Sequence, residues 1–124
     1  MKNLLVVEDD LNTLAGLVEL LKDEGYKVEG AACGQKALEM VARHSFDLVI
    51  CDYSLPDIDG LKVCHELRRR QPALVMFLVT GFYNTEIINA ARENSINKVI
   101  TKPIVLDDLL DSLVRYSKDP HTES

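Results

Sequence analysis

Five times along the chain a short apolar run gives way to a stretch with apolar residues at helical spacing. LLVV (4–7) reads as a buried strand, and Leu11, Leu14, Ala15, Val18 and Leu21 mark a helix closed by Gly25. YKVEGAA (26–32) is strand-like, and a helix over 34–44 follows through Ala37, Leu38 and Val41. DLVIC (47–51) and ALVMFLV (73–79) are further strands. Between them Ile58, Leu61, Cys64 and Leu67 predict a helix that stops before Gln71-Pro72. Asn84 stands where it can cap a helix through Ile87, Ile88 and Ala91. INKVIT (96–101) is the fifth strand, and Leu106, Leu109, Leu110 and Leu113 form the last helix.

Strands that alternate with helices in this way belong in a parallel sheet covered on both faces, with right-handed crossovers. A closed barrel of this type takes eight such units, so five imply an open sheet. No internal repeat and no linker interrupts residues 1–117, which are expected to form one domain. Residues 118–124, KDPHTES, read as a polar tail or the start of a linker.

Composition removes several classes of function. Of 124 residues, 20 are acidic and 14 basic, a net charge of −6 that is unsuited to gripping a nucleic-acid backbone. The basic run Arg68-Arg69-Arg70 closes a predicted helix, where cations suit the helix dipole, and is expected to be solvated. The three cysteines, Cys33, Cys51 and Cys64, are odd in number and show no paired spacing. That argues against a disulfide scaffold or a zinc site and for a reduced, cytoplasmic setting, with Cys33 and Cys51 as small core residues. Leu4–Val7 is too short for a signal sequence, and no apolar run is long enough to span a membrane.

In open α/β sheets, ligands bind beyond the carboxyl ends of the strands. The first strand ends at Glu8-Asp9-Asp10, the third at Asp52, the fourth at Thr80-Gly81 and the fifth at Thr101-Lys102-Pro103. Acids at that edge would repel by roughly 3 kcal/mol per pair at about 5 Å and an effective dielectric near 20. A divalent cation together with Lys102 balances Glu8, Asp9 and Asp52. With oxygen ligands and no nearby His or Cys, the ion should be hard, Mg²⁺ or Mn²⁺. Such a site suits a phosphoryl group, with Asp52 as nucleophile, Thr80 as hydrogen-bond donor and Lys102 as counter-charge.

Glu8-Asp9, Asp52 with the following SLPDIDG, Thr80 and Lys102-Pro103 resemble the receiver domain of two-component response regulators over about residues 2–117. The resemblance implies a flavodoxin-like, doubly wound α/β fold with five helices and strand order 2-1-3-4-5. It implies that Asp52 accepts a phosphoryl group from a sensor histidine kinase or a histidine phosphotransfer protein, and that the domain assists its own phosphorylation and dephosphorylation. Asp9, Asp52 and the Ser54 backbone carbonyl would hold Mg²⁺, with Glu8 acting through water. Lys102 would contact the phosphoryl group, and its bond to Pro103 would be cis. Pro56 and Gly60 would be structural, and Thr80, Gly81 and position 99 would form the switch. Residues 84–116 would face an output domain or effector, and the family pattern also accommodates a phosphorylation-dependent homodimer. One departure stands out: the family's usual aromatic ring is Val99 here, a side chain unable to swing between exposed and buried positions.

Asp10 is expected to cap the first helix, and Asp57, Asp59 and Gly60 to serve a turn and a helix start. The partial calcium-loop spacing from Asp57 to Glu66 is discounted, because Leu55 holds the first ligand position. His44, His65 and His121 are expected at the surface, and Phe82 and Tyr83 fit either a core or a partner-facing patch. Two rival functions are an interaction module that works without phosphorylation and an aspartyl-nucleophile phosphatase. The serine at position 54 counts against the phosphatase, which would want a second acid there.

Overall fold

The computed structural model describes residues 2–117; the stretch 118–124, with His121, lies outside them. Five strands alternate with five helices: β1 (Asn3–Val7), α1 (Leu11–Asp23), β2 (Lys27–Ala31), α2 (Gly34–Arg43), β3 (Leu48–Asp52), α3 (Gly60–Arg70), β4 (Val75–Thr80), α4 (Thr85–Glu93), β5 (Lys98–Thr101) and α5 (Leu106–Ser117). The strands form one parallel sheet in the order β2-β1-β3-β4-β5, as the resemblance implied. Among the described residues no helix is long and apolar enough to cross a membrane.

The apolar runs are continuous because the central strands are covered on both faces. Leu5, Val7, Val49, Cys51, Met76 and Leu78 point into one core with Ala37, Val41, Val63, Leu67 and Ile87 of α2, α3 and α4. Leu4, Val6, Leu48, Ile50, Phe77 and Val79 point into the other, with Leu21 of α1 and Leu109 and Leu113 of α5. Each wholly buried leucine contributes roughly 2 kcal/mol through the apolar surface it removes from water.

Local chemistry sets the ends of these elements. Asp10 Oδ1 accepts the Thr13 N–H at 3.0 Å, and Asn84 Oδ1 accepts that of Ile87 at 2.9 Å, so both predicted caps are present. Gly25 follows α1 with φ of 99°, the left-handed conformation that ends a helix without steric cost. The register of β3 sets Asp52 opposite Val79, and that of β4 sets Thr80 opposite Thr101. Asp52 and Thr80, which end β3 and β4, and Lys102, just past β5, therefore emerge at one edge of the sheet, each one residue further along than its neighbour.

The structure corrects several expectations. Leu11 and Ala15 are exposed: the stripe of α1 that meets the sheet runs through Leu14, Leu17, Val18 and Leu21, and Leu11 stands one turn beyond it. Cys33 is only half-buried, because it precedes α2 at the rim, whereas Cys51 and Cys64 are buried; all three thiols are free. Strand β4 starts at Val75 because Pro72 and Ala73 turn the chain, with Leu74 N–H bonded to Gln71 O at 3.1 Å. Strand β5 starts at Lys98 because the Asn97 side chain, not a strand carbonyl, takes the Met76 N–H at 2.8 Å.

Of the basic run, Arg69 and Arg70 pair with Glu66 at the surface. Arg68 does not lie free in solvent. It donates to Pro72 O at 2.6 Å and to Ser95 O at 2.8 Å, joining α3 to the segment before β5. Nearby, Tyr116 donates to Asn97 O at 3.0 Å, and His65 Nδ1 lies 3.1 Å from Asn94 Oδ1.

Candidate functional site

A strand that runs into Asp52 carries a carboxylate into the domain: Asp52 is only 3% exposed and Glu8 only 7%. Lys102 Nζ lies 2.6 Å from Asp52 Oδ2, and the Ser54 N–H donates to Asp52 Oδ1 at 3.0 Å. Glu8 and Asp52 share a side-chain hydrogen bond, and the Asp10 N–H reaches Glu8 Oε1 at 3.4 Å. Glu8, Asp9 and Asp52 each offer an oxygen within 4.8 Å of the others, and among the described residues no other His, Cys, Asp or Glu group is gathered in this way.

The charges are arranged unequally. Burial, then the hydrogen bond to Asp52 and its negative charge, raise the Glu8 carboxyl to about 7. Burial pushes Asp52 upward as well, but hydrogen bonds from Glu8, Lys102 and the Ser54 N–H outweigh it and hold Asp52 below the ordinary carboxylate range. Burial would lower Lys102, yet the hydrogen bond to Asp52 and the surrounding acids hold it above the ordinary lysine value. Without a cation, Glu8 therefore holds its proton to a higher pH than an ordinary glutamate, beside an Asp52 that favours the ionised form. An acid that must stay protonated to relieve its neighbour fits a site built for a cation. The three oxygen donors fit a hard one.

Thr80 is buried at the end of β4, but its hydroxyl turns into its own loop: it accepts the Phe82 N–H at 2.9 Å and lies 3.4 Å from Phe82 O. Gly81 is exposed and has no atom within 4 Å of where a side chain would begin, and its φ is not positive. Val99 is half-buried, pairs with Leu78 and packs against the core of α2, α3 and α4. The Lys102–Pro103 bond is cis. Ser54 and Pro56 are exposed in the loop after β3. Gly60 closes that loop by donating its N–H to Tyr53 O at 2.8 Å, and a Cβ there would lie 2.3 Å from the Asp52 carbonyl oxygen.

Asp59 caps α3 through the Lys62 N–H at 3.0 Å, the helix-start role expected of it. Asp57 does more than shape a turn. Its two oxygens accept the N–H groups of Gly34 and Gln35 at 2.9 and 2.8 Å, a link across 23 and 22 residues. The available signal was indirect: Cys33 is a poor cap, so α2 needed one from elsewhere. Phe82 and Tyr83, open between two readings, are both exposed.

The chain belongs to the response regulator receiver domain family, whose pattern matches residues 4–114. Members of that family are phosphorylatable signalling domains of two-component systems. The chain is 32% identical over 111 residues to a response regulator receiver protein of Anaeromyxobacter sp. (strain Fw109-5), covering 90% of this chain and 47% of that protein. It is 31% identical to the transcriptional regulatory protein ZraR of Escherichia coli (strain K12), over 97% of this chain and 27% of ZraR. Among solved structures, a CheY-like receiver domain protein from Methanospirillum hungatei superposes with a TM-score of 0.89 at 29% identity, covering 93% and 92% of the two chains. The Thermotoga maritima response regulator TrrA, solved in complex with Mg(2+)-BeF, superposes at 0.85 with 29% identity, covering 94% and 99%. The chain thus spans between about a quarter and half the length of those two curated relatives.

Proposed function

We propose that Asp52 is the phosphoacceptor of a receiver domain spanning residues 1–117. The observation that carries this reading is the buried Asp52 carboxylate, 2.6 Å from Lys102 and gathered with Glu8 and Asp9 within 4.8 Å. The phosphodonor is a phosphohistidine of a sensor kinase or phosphotransfer protein. An Asp52 oxygen attacks phosphorus, the phosphorus–nitrogen bond breaks, the histidine nitrogen leaves, and an acyl phosphate forms.

Lys102 holds Asp52 ionised and offers its charge to the phosphoryl oxygens. Asp9, Asp52 and the Ser54 carbonyl would hold Mg²⁺ directly and Glu8 would do so through water, neutralising the transferring group. Thr80 contributes a hydroxyl beside the site, and its proton can turn from Phe82 O to a phosphoryl oxygen. The domain thereby assists both gain and loss of the phosphoryl group without acting on a foreign substrate. The output reading assigns the effector surface, or a phosphorylation-dependent dimer, to residues 84–116. Three free thiols support a cytoplasmic setting.

With Mg²⁺ and a small-molecule phosphodonor, intact-mass spectrometry should show one added phosphoryl group on the wild-type chain and none on Asp52→Asn. Label retained by Asp52→Asn would remove Asp52 from this role.

A further inference from the structure

Helix α2 begins without a cap of its own. Cys33 holds the N-cap position in extended backbone, and its side chain makes no capping hydrogen bond. The first N–H groups of a helix lack partners within it and must be satisfied from elsewhere. Here one carboxylate from a distant loop does so: Asp57 Oδ1 accepts from Gly34 and Oδ2 from Gln35. Oδ1 also accepts the Ile58 N–H at 2.9 Å, so the same group folds its own loop. Such charge-assisted bonds at a helix N-terminus are stronger than neutral ones and are favoured by the helix dipole.

That loop is the one that follows Asp52. Its first residues are fixed by Tyr53 N–H to Val79 O at 2.8 Å and by Ser54 N–H to Asp52 Oδ1. Its end is fixed by Gly60 N–H to Tyr53 O. Between Ser54 and Asp59, Asp57 supplies the side-chain hydrogen bonds to another element. We propose that Asp57 is a positioning residue for the acidic site. By gripping the start of α2 it sets the path of residues 54–58, and so the direction of the Ser54 backbone beside Asp52. The role needs a carboxylate, because two N–H donors each take one oxygen, whereas an amide offers a single acceptor atom. Of the proposed function, this role rests on one part, a cation held beside Asp52.

The competing account is that Asp57 merely stabilises α2. The two separate in a variant that caps the helix locally. Serine is a preferred N-cap, so Cys33→Ser can satisfy the helix without restoring the tie to the loop. The full chain is titrated with Mg²⁺ by calorimetry with no phosphodonor, and its thermal midpoint is measured without Mg²⁺. Asp57→Ala should weaken Mg²⁺ binding about tenfold, as loss of a group that orients a ligand does, and should lower the midpoint. Adding Cys33→Ser should restore the midpoint while binding stays weak.

Wild-type affinity in Asp57→Ala, or affinity that returns with stability in the double variant, overturns the proposal. If Asp57→Ala does not fold, Asp57→Asn, which keeps one acceptor, is measured in the same way and should weaken binding by a smaller factor. A wild-type chain that binds Mg²⁺ but takes no phosphoryl group removes the phosphoacceptor reading and leaves the positioning role standing. A wild-type chain that binds no Mg²⁺ overturns both.

Discussion

Two loops border the acidic site, and they are built in opposite ways. The loop at 53–59 is tied down along its length, to β4, to Asp52, to α2 and, through Gly60, back to Tyr53. The loop at 81–84 closes on itself through Thr80 and Phe82, leaving Phe82 61% and Tyr83 59% exposed. Its far end is fixed where Asn84 caps α4. A site that must hold a cation in register needs the first kind of loop; a site that must report a change needs the second. On the proposed function the two demands would fall on different segments, so rigidity on one side need not oppose movement on the other.

A pair of glycine substitutions breaks this contrast if it is wrong. Gly60→Ala drives a Cβ against backbone atoms at 2.3 and 2.7 Å, which cannot swing aside as a flexible side chain would. It should cost about 3 kcal/mol, at the top of the range for overpacking, and displace Asp52. Gly81→Ala meets nothing within 4 Å and should stay within about 0.5 kcal/mol of wild type. Urea denaturation of both variants gives the comparison directly. Equal stabilities would mean that the two loops do not differ in the way described.

Protonation sharpens the contrast on the pinned side. The Glu8 carboxyl stands at about 7 when folded against an ordinary 4.5, so between those values the folded chain holds a proton that the unfolded chain gives up. Its contribution to stability is full below 4.5 and is lost as pH rises through about 7. Asp52 acts in the opposite sense and far from this window. Its carboxyl is lowered, so its contribution is present above the ordinary 3.8 and is lost as pH falls through the folded value. The metal-free thermal midpoint should therefore decline between about pH 5 and pH 8, and the decline should flatten in Glu8→Gln. Mg²⁺ binding should strengthen over the same interval, because the proton must leave. An unchanged decline in Glu8→Gln would place its origin elsewhere.

The smallest expected effect lies in amide exchange. With beryllofluoride as a phosphoryl mimic, changes should concentrate at residues 80–90, be weaker near Val99 and be nearly absent at 53–59. Val99 packs against the core and has no ring to rotate, so on the proposed function the Thr80–Phe82 contact would carry the signal. A dominant response at Val99 with a silent 81–84 loop would refute this account.

Much of this was readable from the chain. Buried strands in a parallel sheet must be apolar throughout, so β1, β3 and β4 announce themselves. Asp10 and Asn84 are legible as caps because capping acts over three residues. The gathering of Glu8, Asp9, Asp52 and Lys102 follows once strand ends are known to share an edge. What escaped was set by contacts remote in sequence. Asp57 looks like a turn residue until α2 is seen to begin beside it, and Asn97 looks like strand until its side chain is seen to take the Met76 N–H. The exposure of Leu11 and Ala15 escaped for another reason, since helical spacing marks an apolar face but not how far the sheet extends beneath it.

The cluster around Arg68, Asn94 and Asn97 has a mechanical consequence. The C-terminal end of α4 is fastened, with Asn94 near His65 and Ser95 O held by Arg68. Its N-terminal end follows the loop at 81–84, and between the two ends Ile87 and Ala91 seat the helix on the interior. On the proposed function, a shift at Thr80 would reach this helix, nine residues and about 13 Å long, from its less fastened end, and would displace the exposed Glu86 more than the exposed Glu93.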